Sequence, residues 1–315
     1  MVSLKAFGAS RPCRHIPDVP DLADVAVGAC GKRDHLFFRN NPDHSRIFVF
    51  FNGEIPAHLL GQGPTFQRWT WASDFSNPVL CVSDASVDGR DDLQIGWYVA
   101  DRDGGTFDDL MDLVEDVCTR TVGKNAEIVC VGSSAGGFAA LMAACRNRCD
   151  GAVVFNPQVD IMRYRERAIS RFMARFCPDM GDSSGQWGDR TSLIESIPRY
   201  SARAKIVYWQ NTDDHFHFRN HCKNFRDAVA RLPAEIQKNV SFNFYTDPVA
   251  GHNPPTKERF LAAIERAYPG ATNGRPQTSV GVRFARLVRQ LLRSPVADRL
   301  SAERAMLSPS DLEIS

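Results

Sequence analysis

Two serines set between glycines, "GSSAG" at residues 132–136, stand where a β-branched run gives way to an alanine-rich one in "EIVCVGSSAGGFAALMAA". A serine hydroxyl attacks a carbonyl only when a base takes its proton and fixed donors meet the charge that develops. The pattern G-x-S-x-G answers the second demand by geometry. A strand ends, the chain turns sharply at Ser134, and a helix begins at once. Gly132 and Gly136 lack the Cβ atoms that would hold strand and helix apart. The Ala135 N–H then lies at a helix N-terminus, where amides without intrahelical acceptors and the helix dipole favour an oxyanion. The same residues would also serve a packing turn or a phosphate-binding turn, so the pattern needs partners.

The base and its orienting carboxylate have to come from elsewhere in the chain. His252 lies in "DPVAGHNPPTKERF", after the last strand-like run and before a helical one. Asp213 and Asp214 follow another strand-like run in "AKIVYWQNTDDHFHF". Asp214 is preferred as the acid, because Asn211 suits a left-handed turn ahead of it and Asp213 suits the cap of the following helix. His215, His217 and His221 in "DDHFHFRNH" lack the spacing of hydrolytic zinc motifs and are read as solvated or helix-capping. Neither a metal nor an organic cofactor is expected. For a second oxyanion donor, "FFNGEIP" at residues 50–56 offers the backbone N–H of Gly53 or Glu54, with the Asn52 side chain as a helper. The competing reading of that stretch is a tight turn capped by Asn52.

These residues need a frame that brings them to one edge, and the chain alternates short β-rich runs with longer helical patterns. Strands are expected at 46–53, 78–84, 126–133, 151–158, 204–211 and 240–247. Their nearly continuous apolar character suits burial on both faces of a parallel sheet. "VAVGAC" and "HLFFRN", joined by a turn at Gly31 to Asp34, suggest an antiparallel edge. Helices are expected over "TFDDLMDLVEDVCTRTV" and "KERFLAAIERAY". Between 159 and 200 the alternation stops. There Ile161, Met162, Tyr164, Phe172, Met173, Phe176 and Trp187 suit either a substrate pocket or the segment's own core, and Arg163, Arg165, Arg167, Arg171 and Arg175 suit either an anionic or sugar substrate or a solvated face.

With 38 basic and 37 acidic side chains, the chain has no global field favouring nucleic acid. Its nine cysteines lack paired metal-site spacings and read as buried, reduced core residues. No stretch approaches the roughly 20 apolar residues that span a bilayer, and a cytoplasmic location is expected. Beyond Tyr268, "PGATNGRPQ" reads as a linker. The apolar stripe Val280, Phe284, Leu287, Val288, Leu291 and Leu292, flanked by arginines, reads as a basic amphipathic helix. Its residues 279–293 suit packing on the domain, or peripheral contact with an anionic membrane or a protein.

In the chain order serine, aspartate, histidine, with "GSSAGG" as the turn, Asp213 or Asp214 as the acid and His252 in "GHNPP" as the base, the sequence resembles the α/β-hydrolase superfamily. The resemblance covers roughly residues 24–268. It implies an α/β-hydrolase fold, with a mostly parallel central sheet flanked by helices and a small helical cap at about 159–200. A linker at 269–278 and a helical tail at 279–315 complete the expected organisation. Where many lipases and esterases carry an H-G-G-G loop, this chain has Asn52 and Gly53. A fainter resemblance, carried by "FFNGE", "LQIGWYVAD", "FNPQVD" and "QNTDDHFH", is to bacterial hydrolase-like proteins associated with surface glycans. Together they imply a serine-dependent acyl hydrolase or O-acyltransferase with a Ser134–His252–Asp214 triad, acting on a small-molecule or glycan ester. The alternative is the same scaffold kept as a non-catalytic binding or assembly module, which a His252 out of reach of Ser134 would favour.

Overall fold

The computed structural model describes residues 36–60, 64–87, 93–99, 106–176 and 184–273. The expected strand "VAVGAC", Cys13, Cys30, Cys177, and the linker and tail from residue 274 onward lie outside the described residues, as does the side chain of Trp187. All six strands expected between 46 and 247 form. They run as β2 (Arg46–Phe51), β3 (Val79–Val82), β4 (Glu127–Ser133), β5 (Gly151–Phe155), β6 (Lys205–Asn211) and β7 (Val240–Tyr245). With β1 (Leu36–Arg39) they make one sheet in the order β1-β3-β2-β4-β5-β6-β7. Pairing is parallel throughout except at β1, which runs antiparallel to β3 as the expected edge.

The order places β4 at the centre, with β2 on one side and β5 and β6 on the other. Parallel strands all end at the same sheet edge, so the segments leaving β2, β4, β5, β6 and β7 converge there. Helix α1 (Phe107–Val122) opens with a complete capping box, in which Thr106 accepts from the Asp109 N–H and Asp109 answers the Thr106 N–H. Helix α2 (Ala135–Cys145) follows β4 directly, and every one of its residues is buried. That explains its composition: a helix covered on all sides has no use for a polar face, and alanine lets it lie close to β4 and β5. Five of the cysteines, Cys81, Cys118, Cys130, Cys145 and Cys222, are buried free thiols, as expected.

The inserted segment holds α3 (Glu166–Phe176), α4 (Ser184–Thr191) and α5 (Leu193–Tyr200). Ile161 and Phe172 are fully buried, and Phe172 meets the edge of Trp97 at 5.4 Å and packs with Phe176 at 5.1 Å. These side chains build core rather than line a pocket. Met162, by contrast, is about half exposed, while Arg163 pairs with Asp160 at 3.2 Å. After β6 come a single turn α6 (His215–His217), a π-helical turn (Phe218–Cys222) and α7 (Lys223–Val229). A short α8 (Ala234–Gln237) precedes β7, and α9 (Lys257–Ala267) covers the other face of the sheet with Phe260 and Ile264 fully buried. Residues 269–273 are not loose: Thr272 bridges Phe75, and the Asn273 amide nitrogen donates to the Ser73 and Phe75 carbonyls. Among the described residues no helix is long and apolar enough to cross a membrane.

Candidate active site

Ser134 sits between β4 and α2 at φ 55° and ψ −122°, a conformation that a side-chain-bearing residue rarely adopts. The strain is held because strand and helix are pressed together around it. A Cβ on Gly132 would overlap the Gly136 carbonyl, and one on Gly136 would overlap the carbonyls of Phe51 and Asn52. The two glycines are therefore steric requirements of the turn. The Ser134 carbonyl accepts from the Phe138 and Gln158 amides, and its own N–H donates to the Phe155 carbonyl.

The structure brings three of the expected side chains together. His252 Nε2 is 2.9 Å from Ser134 Oγ, and His252 Nδ1 is 2.7 Å from Asp214 Oδ2. Ionised carboxylates only accept, so Nδ1 carries the proton and Nε2 presents a lone pair to the serine hydroxyl. Asp214, 6% exposed, uses Oδ1 to accept from His217, from its Nδ1 at 2.9 Å and its N–H at 3.3 Å. Burial works against ionising Asp214. The hydrogen bonds from His217 and His252 outweigh it and hold the carboxyl well below the usual carboxylate range. The arrangement can move a proton from Ser134 to His252 and balance the resulting imidazolium with Asp214.

The expected choice of Asp214 agrees with this geometry, but for different physical reasons. Asp214 itself caps α6 through His217, so one carboxylate serves both the helix and His252. Asn211 is not left-handed. Its side chain instead ties two loops together, donating to the carbonyls of Asp247 and Gly251 and accepting from the amides of Asp213 and Asp247. Asn156, at φ 44° after β5, does the same from the other side. Its Nδ2 reaches Tyr245 Oη and the carbonyls of His252 and Asn253, while its Oδ1 accepts the Asn211 N–H at 2.7 Å. Sequence reasoning gave Asn211 a different role and gave Asn156 none.

His217 stacks on His252, with ring centroids 3.6 Å apart and planes within 9°. Burial pushes His217 down to about 4 and His221 down to about 3, so both are neutral at pH 7 and the Asp214 charge is left to His252. His217 and His221 are thus buried, whereas His215 is exposed, as expected of a solvated residue. Asp214, His217 and His252 place ligand-capable atoms within 4.8 Å of one another. A cation there would have to displace the protons that both Nδ1 atoms share with Asp214, and hydrogen bonding already accounts for the cluster.

The oxyanion side is built differently. Ala135 supplies the first amide of α2, beside Ser134. Gly53 lies on the opposite flank, where a Cβ would be 3.8 Å from Ser134 Cβ. Its N–H is already engaged by Gln67 Oε1 at 2.9 Å, and Gln67 Nε2 reaches the Glu54 carbonyl at 2.9 Å. Asn52 needs correction as a helper. Its Oδ1 accepts the Gln67 N–H, its Nδ2 donates to the Thr65 carbonyl, and its own N–H donates to Tyr98 Oη, so it clamps a loop rather than facing an oxyanion. Arg68, next along that loop, donates to Ser133 Oγ at 2.7 Å and covers the Phe260 ring. A cavity of about 10 Å³ under α1 and α2 has Trp97, Phe107, Phe138 and Met142 in its lining but none of Ser134, Asp214 and His252, and it holds one water at most.

The sequence model of the prolyl oligopeptidase family matches residues 89–268. The chain belongs to the prolyl oligopeptidase family. It is accordingly a serine hydrolase-type enzyme of the α/β-hydrolase superfamily. No curated protein matches the sequence of this family member. Among solved structures, the capsule O-acetyltransferase of Neisseria meningitidis serogroup A is similar at TM-score 0.54 and 11% identity, over 78% of this chain and 95% of that one. The acylaminoacyl peptidase of Pyrococcus horikoshii is similar at TM-score 0.51 and 12% identity, over 76% of this chain and 40% of that one. The acetyl xylan esterase of Paenibacillus sp. R4 is similar at TM-score 0.50 and 16% identity, over 80% and 87% of the two chains. At these identities the likeness is one of fold.

Proposed function

We propose that the protein is a serine-dependent acyl hydrolase or O-acyltransferase with Ser134 as nucleophile, His252 as general base and Asp214 as its orienter, acting on an ester borne by a glycan. The observation that carries the reading is the continuous hydrogen-bonded path from Ser134 Oγ through His252 to Asp214, built on a backbone held in a strained turn. His252 Nε2 takes the hydroxyl proton as Oγ adds to the ester carbonyl, whose π electrons move to oxygen. Collapse of that intermediate expels the alcohol oxygen, which takes the proton from His252 and leaves an acyl-enzyme. Water or an acceptor hydroxyl then repeats the sequence at the acyl carbon. The Ala135 N–H, with the Gly53 N–H once Gln67 releases it, would meet the oxyanion.

The glycan ester is supported by two of the similar folds, whose names record acetyl transfer on a capsule and acetyl removal from xylan. The reach of His252 to Ser134 argues against the non-catalytic scaffold. The test is a fluorophosphonate probe on the purified protein, followed by p-nitrophenyl esters of rising chain length, acetylated sugars and a prolyl p-nitroanilide. Labelling that is lost in Ser134→Ala, with acetate released from sugars, is expected. Labelling that survives Ser134→Ala would sink the covalent mechanism. Preference for long-chain esters or for the anilide would sink the glycan reading.

A further inference from the structure

Gln158 is fully buried and follows β5 by three residues, in a segment whose backbone is locked onto the turn by the Gln158 N–H to Ser134 carbonyl bond at 3.2 Å. Its side-chain nitrogen lies 3.1 Å from Ser134 Oγ. Its side-chain oxygen meets the indole N–H of Trp97. An amide can be turned either way round, and here chemistry decides which. An indole N–H only donates, so the Gln158 oxygen must face Trp97 and the NH2 must face the serine. Trp97 is held against that oxygen, since it is fully buried, sits at φ 55°, and packs edge-on against Tyr164 and Phe172 at 5.8 and 5.4 Å.

We propose that Gln158 is a further catalytic residue, whose N–H fixes the orientation of the Ser134 hydroxyl and so aims its remaining lone pair at the acyl carbon. The inference rests on the triad reading above. An sp3 hydroxyl oxygen has four directions. At Ser134 one is the bond to Cβ and one carries the proton, directed to His252 Nε2, which can only accept in its present tautomer. A third accepts the Gln158 N–H. One lone pair is left, and its direction is set by the other three. Without Gln158 the hydroxyl still finds His252, but Oγ is then held by one hydrogen bond in place of two, and either lone pair is open to the acyl carbon. The same donor eases the reverse step, when Oγ leaves the acyl-enzyme carrying negative charge before the His252 proton reaches it.

The test is the second-order rate of phosphonylation by a fluorophosphonate, a reaction of Oγ that needs neither deacylation nor substrate release. Gln158→Leu keeps the volume and removes the donor, and is expected to label about tenfold more slowly at pH 8, the size of effect that one neutral hydrogen bond supports. On a p-nitrophenyl ester kcat falls with KM unchanged. Because leucine also strips Trp97 of its acceptor, Gln158→Glu, which restores an acceptor for the indole, is measured beside it and is expected to be slowed by at least as much. Labelling of both variants within twofold of the unmodified protein overturns the proposal. Failure of the unmodified protein to label at Ser134 would overturn the triad reading instead, so the two failures are told apart.

Discussion

The two flanks of Ser134 are finished to different degrees. On the His252 flank the groups that join Asp214 to His252 and hold the His252 loop are already paired, the buried Nε2 of His217 being the exception. Asp214 is shared by His217 and His252, and Asn156 and Asn211 bind one another and pin the loop that carries His252. On the Gly53 flank the N–H that would meet a developing charge is satisfied by the chain's own Gln67. Proton transfer needs distances held in advance, whereas an oxyanion donor has to be open when the substrate arrives. The difference predicts that damage to the first flank costs catalysis, while change on the second flank alters access.

The largest effect is expected at the junction of the flanks. Ser134→Ala should abolish probe labelling and reduce ester turnover by a factor on the order of 10⁴ or more, read by gel fluorescence and initial rates. Asn211→Ala should come next. It frees four backbone groups across two loops, and should lower kcat by roughly 10- to 100-fold and the unfolding free energy by about 1–3 kcal/mol in urea. An unchanged kcat would show that the His252 loop holds its place without that clamp. His217→Ala should reduce kcat less than Asn211→Ala, with His217→Asn recovering part of the loss, because an asparagine side-chain N–H can still donate to Asp214.

Buried neutral histidines also leave a mark on stability. His217 and His221 titrate near 4 and 3 in the folded chain against an ordinary 6.5, so the unfolded chain binds more protons between those values. Stability should therefore be fully present above about pH 6.5 and decline as the pH falls toward 4. His217→Asn should flatten part of that slope in urea titrations. The smallest expected effect belongs to the second flank. Gln67→Ala should open the Gly53 N–H and raise kcat/KM on a small ester by about two- to fivefold, roughly the net worth of one hydrogen bond. A fall would mean that Gln67 works with the oxyanion rather than against it.

What was legible in the sequence follows from how locally each feature is encoded. The strands around the site were readable because buried parallel strands are apolar along their whole length, as in "RIFVFF" and "GAVVF". The turn at Ser134 was readable because its glycines are forced by contacts within a few residues of one another and with the neighbouring strand. His252 and Asp214 were readable from their places after strands. The roles of Gln67, and of Asn156 and Gln158 within "FNPQVD", were not, because they are made by partners 13 to 97 residues away. Asn52 was misassigned for the same reason: what its side chain binds comes from residues 65 and 67.

The strap at residues 272 and 273 sets a boundary for anyone trimming the protein. Thr272 and Asn273 are stitched to residues 73–75, the end of the short turn that begins at Trp69, immediately after Gln67 and Arg68. A fragment ended at Tyr268, where the helical pattern stops, would keep every member of the relay and yet untie the stretch that carries Gln67. A piece that preserves the enzyme's substrate-facing behaviour therefore has to reach at least Asn273, and variants shortened past it would differ in access rather than in chemistry.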